Sequence, residues 1–154
     1  MKESIKSTDI FKAQFVNNTL YSCQIIATMV ALDNLMGNND NGISIYQKWI
    51  KSRGKRDPRE ATFSLINLFY SISSKGYDEK YPLEVNEKSK AMLGGAHRLG
   101  ICLFLNIKRV PIVKVKNNRE HPKKYDIEYF SSILNDREMS TLKNKIEEVV
   151  SNDI

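Results

Sequence analysis

The stretch MLGGAHRLGICLFLNIKRVPIVKV, residues 92–115, decides the fold because three different patterns follow one another within it. A short apolar segment ends at Gly94-Gly95, an almost continuous apolar run covers 96–107, and a β-branched segment with one proline covers 110–115. The apolar run predicts a mostly buried helix, and the β-branched segment predicts a strand. The two glycines therefore predict a tight turn between a short strand at 91–93 and this helix.

The flanking sequence predicts helices on both sides of a small sheet. Apolar residues recur at three- and four-residue steps in five segments, each of which predicts a helix, namely 19–36, 43–53, 60–76, 126–134 and 137–150. Alternation at 81–85 predicts a further strand, whereas the polar segment 1–18 is expected to be loosely held. The sum is an α+β fold with a small mixed β-sheet flanked by helices.

We expect one compact domain in three parts. An N-terminal helical extension, 1–53, packs on a core, 54–116, and C-terminal helices follow at 117–154. The 154 residues suit a single domain with one hydrophobic core.

The charge composition indicates an anionic partner but does not identify which kind. The chain carries 24 Lys and Arg against 18 Asp and Glu, a formal net charge of +6. This balance favours phosphate-bearing ligands, nucleic acid or an anionic surface, although a solvated lysine-rich face also explains it. No apolar run approaches the roughly 18 residues of a membrane span, and residues 1–15 lack a signal-peptide core. We therefore expect a cytoplasmic protein without a membrane span.

Cys23 and Cys102, far apart in apolar stretches, are expected to be buried free thiols.

The turn at Gly94-Gly95 has the features of a phosphate site. Glycines allow the backbone to approach a ligand closely, and the unpaired amides of the following helix N-terminus attract anions. His97 and Arg98 fall in the first helical turn, where positive charge opposes the helix dipole unless an anion is bound. The plainer alternative is a strand-to-helix turn with two exposed polar side chains.

The segment GGAHRLGICLFLNIKRVPIVKV resembles the turn, helix and strand that mark the ParB/sulfiredoxin superfamily, whose members carry Gly-x-His-Arg or Gly-Glu-Arg-Arg at the turn. Upstream, FSLINLFYSISSKGYDEKYPLEV, 63–85, resembles the family's helix–strand pair, so the resemblance covers about 53–116. A narrower similarity starts at SIYQKWIKSRGKR and points to small ParB-like proteins of bacterial surface-polysaccharide gene clusters.

The resemblance implies a nucleoside triphosphate at the turn, ATP or CTP with Mg²⁺. By position, the phosphate-cradling residues would be Gly94, Gly95, Ala96, His97 and Arg98. The family's upstream basic box corresponds to Lys55, Arg56 and Arg59, and its helix serine to Ser71 or Ser74. A solvated basic loop and an ordinary helix surface are the plainer explanations of these last two groups.

Two departures from the family pattern limit the chemistry. Sulfiredoxins place a nucleophilic cysteine where this chain has Ala96, so sulfinic-acid reductase activity is not expected. Many other members carry an acid where this chain has Gly94, which removes a possible Mg²⁺ ligand or general base. Asp78-Glu79 is our first choice for the missing carboxylate, although a solvated turn explains the pair as well. The other candidates are Asp57, Glu60 and Glu84.

These observations favour a small nucleotide-dependent phosphotransferase or nucleotidase acting on a small molecule or sugar. The candidate catalytic residues are His97, Arg98, Asp78 and Glu79. Two alternatives stay open, a DNA-binding regulator of the partition type and a nucleotide-binding module without catalysis. Nucleic acid is not favoured because the mixed charges at 137–150 do not form a basic recognition helix. The sequence also leaves a homodimer open.

Overall fold

The computed structural model describes residues 3–153 and confirms the α+β class. The helices are α1 Ser7–Lys12, α2 Cys23–Leu35, α3 Gly42–Arg53, α4 Pro58–Lys75, α5 Ala96–Phe104, α6 Ile127–Ser131 and α7 Asp136–Asp153. The strands are β1 Glu3–Lys6, β2 Phe15–Val16, β3 Thr19–Leu20, β4 Leu83–Asn86 and β5 Arg109–Val115.

The main sheet is three-stranded and mixed, in the order β1-β5-β4. β5 pairs antiparallel with β1 and parallel with β4, so that Ile112 faces both Glu3 and Leu83 across the ladder. Parallel strands need a crossover connection, and α5 provides it between β4 and β5. The glycine turn therefore lies within this crossover, at the N-terminus of α5.

The expectation for residues 1–18 was wrong, because β1, α1 and β2 occupy most of this segment. β1 is ordered by pairing with β5, which lies about a hundred residues away and leaves no local signal in the sequence. In α1, Ile10 and Phe11 are buried in the core. Asn17 and Asn18 both have positive φ, as a two-residue hairpin turn between β2 and β3 requires. This hairpin also explains why the helix predicted from 19 begins only at Cys23.

α5 packs closely against α2, and this contact positions the functional region. A Cβ on Gly100 would lie only 2.8 Å from Thr28 Cγ2 and 3.1 Å from the Ile25 carbonyl oxygen. Both contacts are in the first half of α2. The absent side chain thus lets the two helices approach, and their N-terminal ends border the same cavity.

α7 is fastened to α3 through Glu138, whose carboxylate is almost completely buried. It accepts hydrogen bonds from Ser44 Oγ at 2.8 Å, Lys48 Nζ at 2.7 Å and the Asn135 N–H at 3.0 Å. Asn135 Oδ1 accepts in return from the Glu138 N–H at 2.8 Å, which completes a reciprocal cap of α7. Although burial opposes ionisation, these hydrogen bonds hold the pKa of Glu138 below its usual value.

The cysteine prediction is confirmed, since Cys23 and Cys102 are both free and buried. Burial raises the pKa of each thiol to about 12, so neither is a thiolate at neutral pH. None of the helices within residues 3–153 is both long and apolar enough to cross a membrane.

Candidate functional site

The two glycines of the turn have different structural causes. Gly95 precedes α5 with φ of +90°, and a Cβ there would lie 2.6 Å from Leu83 Cδ2. The fold therefore requires glycine at this position. Gly94 lacks a positive φ, and a Cβ on it would meet nothing within 4 Å. The fold does not require glycine at 94, so its presence calls for another explanation.

A small basic cavity of about 170 Å³ lies against the turn. Its wall includes the N-terminal ends of α2, at Ser22 and Gln24, and of α5, at Ala96 and His97. At α5 the first helical N–H groups point out of the helix and carry partial positive charge, whereas at α2 the Cys23 N–H already donates to the Tyr125 carbonyl at 2.9 Å. The remaining lining residues are Trp49, Arg53, Met92, Leu93, Gly94, Gly95, Arg119, Pro122, Lys123 and Tyr125.

Three cationic side chains line this cavity, and its lining within residues 3–153 includes no Asp or Glu. They are Arg53, Arg119 and Lys123. Such an arrangement concentrates positive potential in a partly enclosed space and favours an anion. Because arginine offers a planar fork of donors, the two arginines suit a phosphate in particular.

The two arginines are held by their surroundings. The guanidinium of Arg53 lies 5.2 Å from the centre of the Trp49 ring and 5.8 Å from that of Tyr125. Arg119 lies on a loop fixed by the buried side chain of Asn86, whose Nδ2 donates to the Arg119 carbonyl at 3.2 Å and to Asn117 Oδ1 at 2.9 Å. The aromatic rings therefore position the Arg53 charge, and Asn86 fixes the backbone that carries Arg119.

Two buried polar atoms at the cavity have no hydrogen-bond partner within the described part of the chain. They are Gln24 Oε1 and Arg119 Nε. Buried polar atoms are rarely left unpaired, because each loses its hydration without compensation. Both atoms belong to residues that line the cavity, although neither atom is itself accessible to solvent.

His97 lines the cavity as a neutral imidazole. Burial, with the nearby charges of Arg56 and Arg53, lowers its pKa to about 4. Its Nε2 lies 2.9 Å from the hydroxyl of the buried Tyr46, and that hydroxyl lies 3.4 Å from the Ala61 carbonyl oxygen. Burial raises the pKa of Tyr46 to about 12, so this phenol keeps its proton.

Arg98 borders a different space. Its guanidinium lies 4.8 Å from the centre of the Tyr81 ring and 5.9 Å from that of Tyr77. A second cavity, of about 370 Å³, is lined by Arg98 and Tyr81 and shares Gly94 and Gly95 with the basic cavity. The first turn of α5 thus directs His97 and Arg98 to opposite sides of the glycine turn. The second cavity is also lined by Lys80, Pro82, Leu83, Glu84 and Val113.

The predicted basic box borders neither cavity. Lys55, Arg56 and Arg59 are exposed between α3 and the first turn of α4. Arg56 donates to Ser64 Oγ at 3.1 Å, and of the three only Arg56 has a charge that lowers the pKa of His97.

The predicted serines and four of the five predicted carboxylates also lie away from both cavities. Ser71 and Ser74 are exposed on the last turns of α4, where Ser74 Oγ donates to the Tyr70 carbonyl at 2.8 Å. Asp78 and Glu79 occupy the exposed loop before β4, and Asp78 Oδ1 accepts from the Lys80 N–H. Of the five candidate carboxylates, Glu84 is the one that lines the second cavity.

Sequence reasoning did not single out the residues that line most of the basic cavity. Arg119 and Lys123 lie in the loop 116–124, whose cluster of basic residues was a visible signal. Arg53 follows Trp49 by four residues on one face of α3, a spacing that permits the observed stacking. Ser22 and Gln24, and Tyr46 behind His97, carried no signal of this kind.

Comparisons with known proteins leave the family open. No protein-family model matches the chain, and neither curated proteins nor solved structures include a significant match. In residues 3–153 there is also no group of three or more His, Cys, Asp or Glu placed to hold a metal ion.

Proposed function

We propose that this protein binds ATP or CTP as its Mg²⁺ complex, with the phosphates in the basic cavity. One observation carries the proposal: the N-terminus of α5 and three cationic side chains meet at a cavity whose described lining has no carboxylate. Helix N-termini and arginines are the groups that proteins use most directly to bind phosphate. ParB/sulfiredoxin-like ancestry, proposed from the sequence resemblance, points to the same class of ligand.

The residues present fit the phosphates better than they fit a separate metal site. A volume of about 170 Å³ is small beside the roughly 300 Å³ at which ligand pockets begin, so it suits phosphate groups rather than a whole nucleotide. Arg53, Arg119 and Lys123 would neutralise the phosphates. Mg²⁺ would be held mainly by phosphate oxygens and water, as is usual for this cation, and would add charge neutralisation.

The finer proposal is phosphoryl transfer to a hydroxyl of a small molecule or sugar, with His97 as the proton acceptor once bound phosphates neutralise Arg53 and raise the pKa of the imidazole from about 4. If the imidazole Nε2–H donates to Tyr46 and Tyr46 donates to the Ala61 carbonyl, Nδ1 is free to take a proton. The acceptor oxygen then bonds to the terminal phosphorus as the bond to the bridging oxygen breaks. The hydroxyl proton goes to Nδ1, and the nucleoside diphosphate leaves. Positioned cations are the main requirement of such a transfer.

Calorimetric titration of ATP and CTP, with and without Mg²⁺, tests the binding proposal. We expect binding by the wild type and a loss of about 10- to 100-fold in Arg119→Ala, as for a charge-assisted hydrogen bond. Lys116→Ala is the matched control, because it removes one charge from the same loop but does not line the cavity. Arg98→Ala is titrated alongside to measure the contribution of the second cavity. Absence of binding by the wild type would refute the proposal.

Turnover separates an enzyme from a non-catalytic nucleotide-binding module. Phosphate release and transfer to a panel of sugars and small alcohols are measured for wild type and His97→Gln. A phosphotransferase predicts turnover that falls at least a hundredfold in His97→Gln with little change in nucleotide affinity. Tight binding without turnover in the wild type would support the non-catalytic module instead.

A further inference from the structure

We infer that the nucleotide straddles the glycine turn, with its phosphates in the basic cavity and its nucleoside in the second cavity, against Tyr81 and Arg98. This inference rests on the proposed nucleotide binding and deepens it. It names where the base and sugar bind and which residues recognise them.

The two cavities differ in the volume that they offer a ligand. The basic cavity is too small for a whole nucleotide, so the nucleoside must lie elsewhere. The second cavity measures about 370 Å³ and has Gly94 and Gly95 in common with the first. A ligand that extends from one cavity into the other therefore crosses this turn.

Gly94 lies between the two cavities. The fold does not need glycine there, since φ is not positive and a Cβ would point into open space. That open space adjoins both cavities, because Gly94 lines each of them. A glycine between the cavities leaves room for a ligand chain that any side chain would narrow.

The second cavity is lined by planar and polar groups that suit a nucleoside. Tyr81 is 56% exposed, although its ring is large and apolar. The adjacent guanidinium of Arg98 adds a second planar surface. Aromatic rings and guanidinium planes are the surfaces on which proteins stack nucleobases. Lys80 and Glu84, at the same cavity, offer a donor and an acceptor for ribose hydroxyls.

The test compares ATP and CTP with inorganic tripolyphosphate, which has the same phosphate chain and no nucleoside. Each is titrated with Mg²⁺ into the wild type and Tyr81→Ala. We expect the wild type to bind at least one nucleotide about tenfold more tightly than tripolyphosphate, and Tyr81→Ala to abolish that advantage. Tripolyphosphate binding should not change in Tyr81→Ala. Tyr70→Ala is the matched control, because Tyr70 is similarly exposed, at 53%, and lines neither cavity.

Gly94→Ala provides an independent variant. Its added methyl meets no protein atom, so the protein should fold normally while nucleotide binding weakens more than tripolyphosphate binding. Equal affinities of the wild type for nucleotides and tripolyphosphate, unaffected by Tyr81→Ala, would overturn this inference and leave a phosphate site in the basic cavity. If none of the three ligands binds, the proposed function fails as well.

Discussion

The molecule contains two clusters of charged groups with opposite organisation. Around Glu138, one buried carboxylate meets Lys48 Nζ, Ser44 Oγ and a backbone N–H within 3.0 Å. Around the basic cavity, Arg53, Arg119 and Lys123 share a lining that has no carboxylate. In the first cluster the carboxylate has its hydrogen-bond donors within the described chain, whereas the charged side chains that line the second are all positive.

The difference separates charges that hold the fold from charges that await a ligand. A buried carboxylate with all its partners present stabilises the structure in which those partners meet, and removal of one partner is costly. Like charges around a cavity repel each other and are favourable only when an anion joins them. Substitutions in the two clusters should therefore affect different properties, namely stability in the first and ligand binding in the second.

The largest effect is expected for Glu138→Ala. This change leaves the donors from Lys48, Ser44 and the N-terminus of α7 without their acceptor, which should cost about 3 kcal/mol of unfolding free energy. Urea denaturation measures the loss. Glu128→Ala, at an exposed position in α6, is the control and should change stability by less than about 0.5 kcal/mol. A small loss in Glu138→Ala would mean that this cluster does not fasten α7 to α3.

A slightly smaller loss of unfolding free energy is expected when the pH is lowered and His97 is protonated. Its folded-state pKa of about 4 is below the ordinary 6.5, so the unfolded chain binds a proton first as pH falls. The stability from neutral His97 is thus fully present well above pH 6.5 and is lost as pH falls towards 4. The loss should reach about 2 kcal/mol between pH 6.5 and 4.5.

Urea midpoints measured across this pH range, in wild type and His97→Gln, isolate that contribution. His97→Gln should lose less stability than the wild type on acidification, by about the same 2 kcal/mol. His121→Gln is the matched control, because His121 is the chain's other histidine and is exposed. Identical pH dependence in wild type and His97→Gln would argue against a neutral, buried imidazole.

The next effect concerns geometry rather than charge at the basic cavity. Arg53→Lys keeps the positive charge but loses the planar group that lies over Trp49 and the paired donors suited to phosphate. We expect about tenfold weaker nucleotide binding by calorimetry with unfolding stability changed by less than about 1 kcal/mol. Arg137→Lys, at an exposed ion pair with Asp40, should leave binding unchanged. Full affinity in Arg53→Lys would indicate that charge alone attracts the ligand.

The sequence predicted the parts of the fold that local pattern encodes. In segment 92–115 the turn, the helix and the strand after it were predicted correctly, since each carries its own pattern and Gly95 has the positive φ of such a turn. The short strand predicted at 91–93 was wrong, because Met92 forms only an isolated bridge with Val85. β1 was missed because its partner, β5, lies far along the chain. Arg119 was missed as a site residue for the same reason. Asn86, more than thirty residues away, fixes its loop, and no pattern in the sequence relates the two.

The smallest predicted effect compares two neighbours in the exposed basic loop. After burial, the charge of Arg56 is the next largest cause of the low pKa of His97, and Lys55 is not among the causes. Arg56→Ala should therefore raise the pKa of His97, and Lys55→Ala should leave it unchanged. Because the chain has only two histidines, an NMR titration resolves both, and His121 serves as an internal reference.

A bound phosphate should also raise the pKa of His97, since it neutralises Arg53 within the cavity. If saturating tripolyphosphate leaves the His97 titration unchanged, the anion does not bind beside this imidazole, and the basic cavity is not the phosphate site.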